Sequence, residues 1–205
     1  NVLSNAKMLI CNSNGTLKQW RKFHHLSLPS KVIHNATSVR PTHSPITPTL
    51  RSIGSLHAYK GYLQAINALS TFPHNIEWIG DNHLPDLTLP PQHHHCNATL
   101  EWHALLHSAR TLLLVLMDNS FGKSSSPLKL WDYLATDRPL ILPDIESIRT
   151  ATEELSNESL FFYDPSNPRS LLNAAKLSWK AQRRHPFVRS WQQRAAEYTS
   201  LLEQQ

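Results

Sequence analysis

The stretch TLLLVLMDNSFGKSSSPLKLWDYLATDRPLILP, residues 111–143, decides the fold. Residues 111–117 (TLLLVLM) are apolar on both faces, as a strand must be when it lies inside a parallel sheet. Ser126 and Pro127 then mark a helix start, serine suiting the cap and proline the first helical position. Residues 127–135 read as that helix, and residues 139–143 (PLILP) as the next strand. Strand, loop, helix and strand in this order form a crossover unit, which demands parallel strands.

The same alternation continues outward. On the N-terminal side, residues 50–56 (LRSIGSL) and 75–80 (NIEWIG) read as strands, with a helix over 60–69 between them. Residues 81–97, with Pro85, Pro90, Pro91 and a histidine run, read as a loop. A helix over 99–108 follows, Leu100, Ala104, Leu105 and Leu106 forming its apolar face. On the C-terminal side come a helix over 145–154, a strand over 160–163, and helices over 168–184 and 186–202. At the start, strands over 7–12 and 31–35 flank a helix over 13–24. Pro41, Pro45 and Pro48 keep residues 40–49 out of any helix and mark a linker. The expected class is α/β, a doubly wound, parallel, Rossmann-like sheet, whose ligands bind outside the carboxyl ends of the strands.

The composition narrows the chemistry. Five glycines in 205 residues is well below the usual share of about 7%. Neither a Walker loop nor a G-x-G-x-x-G fingerprint occurs, so a phosphate must be held in another way. The longest apolar run, residues 112–117, falls far short of the ~20 residues that span a bilayer. Net charge is +5, favouring anionic partners, although no long basic block exists. Two cysteines, Cys11 and Cys96, cannot build a disulfide framework, and a reducing compartment is expected. The chain opens on Asn1 without a signal-like apolar segment, so a processed chain or a fragment is expected.

Within 124–138 the residues suit an anion. A helix start following a buried strand offers free amides and a positive dipole end. Lys129 adds a cation in the first turn, and Asp132, three residues on, shares its face. Phosphate on the lysine and ribose hydroxyls on the carboxylate would suit a nucleotide diphosphate. The competing reading is a capped amphipathic helix with an exposed Lys–Asp pair. Residues 54–61 (GSLHAYKG) offer a second element, Gly54 for close approach and Lys60 for reach to the same phosphate.

These residues also carry a resemblance. The run SPLKLWDYLATDRPLILPDIESIR resembles the SPxKLxEYxAxGxPV…S signature of family 4 glycosyltransferases with the GT-B fold. IGSLHAYKGYLQAINAL is similar to their strand–loop–helix with G-R-L-x-x-x-K-G, and SLFFYDPSNPRSLLNAAKL to their late DP…L…A segment. AKMLICNSNGTLKQW, KVIHNAT and the pair Ser190-Trp191 resemble further family segments in the same order. The resemblance implies the C-terminal, donor-binding half of such an enzyme: residues 1–40 a remnant of the acceptor domain and linker, 41–185 the nucleotide-sugar-binding domain, 186–205 a closing helix. It implies a nucleotide-diphosphate sugar as partner, hexosyl transfer with retention, and neither cofactor nor metal. The acceptor domain would be missing.

By resemblance, the donor contacts are Gly54, Ser55, Lys60, Ser126, Pro127, Leu128, Lys129 and Asp132, with Lys60 and Lys129 stabilising the leaving diphosphate. The sequence departs from the pattern at four places. Ser55 replaces the family's arginine, and Ser124 stands at the first glutamate of Glu-x7-Glu. Asp132 replaces the second glutamate, and Asp137 a turn glycine, where a left-handed conformation is expected. A non-catalytic nucleotide-binding subunit, or an inactive fragment that needs a separate acceptor-domain chain, is therefore the alternative. The resemblance also implies a cytoplasmic protein, with contact at the inner membrane face.

Two rival chemistries are weaker. His93, His94, His95 and Cys96, with His103 and His107, offer zinc-ligand residue types, yet adjacent histidines rarely point at one ion. Nucleic acid is not expected, because the six tryptophans are spaced as core or interface aromatics rather than as a stacking platform.

Overall fold

In the computed structural model, which describes residues 6–24, 27–155 and 159–203, the short apolar runs are strands and the amphipathic segments between them are helices. The chain begins with β1 (Leu9–Cys11), α1 (Asn14–His24) and β2 (Ser30–Val32), the two strands pairing in parallel. Residues 33–48 then run without helix or sheet to β3 (Thr49–Ile53). A 3₁₀ turn, Ala58–Lys60, leads into α2 (Tyr62–Ala68), β4 (Asn75–Ile79) and β5 (His93–Cys96). Next come α3 (Trp102–Ser108), β6 (Thr111–Leu113), α4 (Ser120–Ser124), α5 (Leu128–Leu134) and β7 (Leu140–Pro143). The chain closes with α6 (Glu146–Thr152), β8 (Leu160–Tyr163), α7 (Pro168–Lys180) and α8 (Trp191–Glu203).

The main sheet is parallel throughout, with the spatial order β5-β4-β3-β6-β7-β8. The chain moves outward from β3 to β5, then crosses back to place β6 on the other side of β3. Connections therefore leave β3 and β6 in opposite directions, the doubly wound arrangement that opens a crevice at their carboxyl ends. Both faces are covered. Leu112, Leu114 and Leu116 join α3, α5 and α6 in one apolar cluster, while Leu113 and Val115 join α2 and α7 in the other. The alternation along residues 112–116 is a strand buried on both sides, as its composition predicts.

Several boundaries differ from expectation, each for a local reason. β6 ends at Leu113, where β3 turns away at Gly54; the chain stays buried to Leu116, Leu114 N–H donating to Ile141 O (2.9 Å). The expected loop over 81–97 contains β5, because Ile76 to Ile79 pair with His93 to Cys96 and that ladder recruits a run of weak strand formers. α3 starts at Trp102, leaving Leu100 fully exposed and outside the expected apolar face; Ala104 is exposed too. α7 ends at Lys180 because the Arg110 guanidinium takes its last carbonyls, Trp179 O at 2.6 and 2.9 Å and Ala181 O at 2.9 Å. Beyond it, Arg184 caps α5, donating to Tyr133 O (2.8 Å) and Leu134 O (2.5 Å). Burial lowers the Arg184 pKa to about 10, so these contacts keep their charge at neutral pH.

Asp137 corrects an expectation. Among the described non-glycine residues only Asp86 and Ser159 have positive φ, so Asp137 is not left-handed. Its buried carboxylate accepts from Arg183 Nη1 (2.9 Å) and lies 3.0 Å from Arg138 Nε. Charge pairing thus accounts for aspartate at that turn.

The first segment docks closely on the main sheet's helices. Ser13 Oγ and Thr16 Oγ1 donate to Ser124 O at 3.0 and 2.7 Å. A Cβ on Gly15 would fall 1.8 Å from Lys123 O, so the crossing of α1 and α4 excludes any side chain there.

Buried histidines give a pH test. Trp78 Nε1 donates to His93 Nδ1 (3.3 Å), leaving the His93 Nε2 proton for Leu69 O (3.2 Å). Burial lowers the pKa of His93 and of His107 below the ordinary value of about 6.5. Neutral imidazole is the folded form, so the unfolded chain binds more protons as pH falls through about 6.5. Denaturant unfolding between pH 7.5 and 5.5 should show stability falling by up to about 1 kcal/mol per histidine. A flat profile, or one that rises, refutes this.

Candidate functional site

β3 ends at Ile53, and Gly54 turns the chain with φ +150 at the sheet's carboxyl end. A Cβ on Gly80, just past β4, would fall 2.4 Å from Gly54 O. The two strand ends approach this closely because Gly80 has no side chain. Beside them opens a cavity of about 140 Å³, walled by Gly54, Ser55, Gly80, Asp81, Trp102 and Lys129 among others.

Lys129 projects into it from the first turn of α5. Its Nζ stands 3.5 Å from the centroid of the Trp102 ring and 3.5 Å from Asp132 Oδ2. Burial lowers its pKa, and Asp132 works against that shift. The Asp132 side chain is only 12% exposed, and its Oδ1 accepts from Thr37 Oγ1 at 2.7 Å. The pair is therefore not the exposed i,i+3 bridge of the competing reading. Asp132 backs Lys129, tied to the segment that enters the main sheet.

Lys60 reaches the same loop from the turn that follows it. It closes the 3₁₀ turn, and its Nζ donates to Ser55 O at 3.2 Å. Burial lowers its pKa as well. Gly54, Ser55 and Lys129 thus share one cavity; Lys60 and Asp132 do not line it, Lys60 being joined to it by the Ser55 carbonyl and Asp132 by Lys129.

The start of α5 differs from expectation. Ser126 does not cap it: the helix begins at Leu128, Pro127 occupies the cap position, and no side chain closes the first turn. Ser126 is engaged elsewhere, Asn35 Nδ2 donating to its carbonyl (2.8 Å) and lying 3.2 Å from its hydroxyl. Pro127 O accepts from Leu130 N–H (3.1 Å), and Leu128 is half exposed. Ser126, Pro127 and Leu128 are not among the residues that line the cavity.

Three tyrosines that sequence reasoning passed over hold the strand ends. Tyr133, fully buried on α5, accepts from Ile53 N–H (2.7 Å) and donates to Ile53 O (3.3 Å). Tyr62 Oη lies 3.4 Å from Ser52 Oγ and 3.5 Å from Gly54 O, its pKa pushed up to about 12 by burial. Tyr163 donates to Leu114 O (3.1 Å). Burial raises the pKa of Tyr133 and Tyr163 too, so all three remain neutral donors. The available signal was chemical: a tyrosine on a buried face needs a partner for its hydroxyl.

The histidine run does not converge. His93 points inward, His94 and Cys96 are exposed, and His95 Nε2 contacts Gly80 O at 2.7 Å. No group of three or more metal-ligand side chains occurs among the described residues. Nor is any described helix long and apolar enough to cross a membrane.

No protein family's sequence profile matches the chain, and no curated protein does. Solved structures do match in fold. Sucrose-phosphate synthase from Thermosynechococcus elongatus has a TM-score of 0.75 at 14% identity, over 99% of this chain and 59% of that one. Anabaena HepE in complex with UDP gives 0.75 at 12%, over 98% and 64%. The C-terminal domain of a glycosyl transferase group 1 family protein, LpcC from Francisella tularensis, gives 0.53 at 14%, over 69% and 89%. The shared fold is the Rossmann-like α/β architecture of GT-B glycosyltransferases. The chain spans less than two thirds of the synthase and of HepE.

Tyr133 supplies the test of the site's framework. Tyr133→Phe leaves the Ile53 amide buried without a partner and should cost about 2 kcal/mol in urea unfolding. An unchanged unfolding midpoint would show that α5 is not anchored through this hydroxyl.

Proposed function

We propose that this chain is the donor-binding half of a family 4 GT-B glycosyltransferase that transfers a hexosyl group from a nucleotide-diphosphate sugar with retention. The observation that carries the reading is the cavity at the carboxyl ends of β3 and β4, walled by Gly54, Ser55, Gly80, Trp102 and Lys129, with Lys60 bonded to the Ser55 carbonyl. The carboxyl ends of the strands are where an open parallel sheet binds its ligand. Lys129 in the wall and Lys60 on the Ser55 carbonyl supply positive charge for a diphosphate, while Asp81 in the same wall and Asp132 beside Lys129 are the negative groups there. HepE, similar in fold, was solved with UDP and with UDP-glucose.

In the proposed reaction, Lys129 and Lys60 neutralise the charge that grows on the diphosphate as the glycosidic bond breaks. A cation already placed in a partly dry site needs little reorganisation at that moment. On this reading no metal or cofactor is required, residues 41–185 form the donor domain with 186–205 as its closing helix, and the acceptor is bound by a domain of which residues 1–40 are the last part. The location is cytoplasmic, with the basic surface meeting anionic lipid at the inner membrane face.

A second reading, a nucleotide-binding subunit without catalysis, is favoured by two observations. Ser124 supplies no carboxylate, its hydroxyl donating to Ser120 O (2.8 Å) and its carbonyl held by Ser13 and Thr16. Asp132, in place of the ribose-binding glutamate, is already bonded to Thr37.

The test is thermal shift and calorimetry with uridine and guanosine diphosphates and their hexose conjugates. One of them should raise the melting temperature, and Lys129→Ala should abolish the rise. A folded protein stabilised by none would end the donor-binding reading. Slow release of free hexose from the bound conjugate supports the enzyme; binding with no release supports the subunit.

A further inference from the structure

The Lys129 ammonium is fixed by two groups at once, the Trp102 ring and the Asp132 carboxylate, each at 3.5 Å. They come from different elements: Asp132 lies one turn along α5, whereas Trp102 opens α3, the helix before β6. An i,i+3 carboxylate alone leaves a lysine mobile, because four rotatable bonds remain and the pair samples several geometries. An aromatic face as a second partner removes that freedom, its negative quadrupole attracting the cation where water is partly excluded. Trp102 also walls the cavity beside Gly80 and Asp81, so the ring and the ammonium face the same space. The ring is itself packed, its other contacts including the edge-on imidazole of His103 at 3.8 Å and the apolar cluster beneath α3.

We propose that Trp102 is a positioning residue for Lys129: its indole face holds the ammonium at the cavity wall, where the diphosphate of a bound nucleotide meets a charge already placed. The proposal rests on the donor-binding reading above and specifies how that site organises its cation. It separates two roles that a tryptophan in a nucleotide cavity can play. A ring that acts through the lysine contributes nothing once the lysine is gone. A ring that stacks on the base contributes whether or not the lysine is there.

Calorimetric titration of the folded chain with uridine or guanosine diphosphate, whichever wild type binds more tightly, tests this with a double-mutant cycle. Trp102→Leu removes the π face but keeps an apolar side chain, and should weaken binding roughly 3- to 10-fold. Trp102→Phe keeps a ring and should recover most of that loss. In a Lys129→Met background, Trp102→Leu should weaken binding no further. Circular dichroism and melting of each variant establish that it is folded, and Trp102→Phe carries the test should Trp102→Leu not fold: it too must lose its effect in the Lys129→Met background. Losses from Trp102 and Lys129 that simply add would overturn the proposal, as would a Trp102→Leu variant that binds like wild type. Failure of wild type to bind either nucleotide would instead remove the donor-binding reading on which the proposal stands.

Discussion

The arrangement depends on the parting of β3 and β6. Two parallel strands lie side by side, yet the chain leaves them toward opposite faces of the sheet, α2 to one and the α4–α5 segment to the other. The connections meet again past the strand ends, Asn119 Nδ2 donating to Tyr59 O (2.8 Å), while the cavity opens beside the ends of β3 and β4. Backbone groups at the end of β3 stay paired with β4 but lose their partners on the β6 side. Tyr133 restores them, its single hydroxyl bonding both the amide and the carbonyl of Ile53. That bond also clamps α5, and with it Lys129, against the strand whose last turn walls the cavity.

Glycine scarcity has a consistent physical meaning. The chain spends its few glycines on close approach rather than on a phosphate-cradling loop. Gly80 lets two strand ends touch, and Gly15 lets α1 cross α4 at a distance that no Cβ permits. In the proposed donor site, anion recognition falls instead to side chains, Lys60 and Lys129. Each is half-buried, and burial lowers the pKa of each. Such a site carries its charge at a desolvation cost, which Asp132 offsets for Lys129 and the Ser55 carbonyl for Lys60.

Much of the fold was legible in the residues. The both-faces-apolar run at 111–117, the proline-marked linker and the helix periods give the parallel α/β class, and the strands at 75–79, 140–143 and 160–163 lie where the runs place them. Less of the site was legible. Lys129 and Asp132 share a face because helix geometry is local, so their pairing follows from spacing alone. The Trp102 ring over Lys129 and the Thr37 hydroxyl on Asp132 were not visible, since their partners are 27 and 95 residues away in sequence. Only packing brings them together.

The histidine run makes the same division. Read alone, HHHC after Pro90 and Pro91 lacks strand formers and reads as a loop or a ligand cluster. Pairing with β4 overrides that preference and turns alternate residues to opposite sides, which buries His93 and exposes His94. Thus periodicity and punctuation, which report interactions within a few residues, determined the layers and the order of the elements. The engagement of Ser126 by Asn35, the burial of Asp132 and the anchoring of Asp137 by Arg183 were decided by the tertiary structure, because each depends on a partner brought from another element.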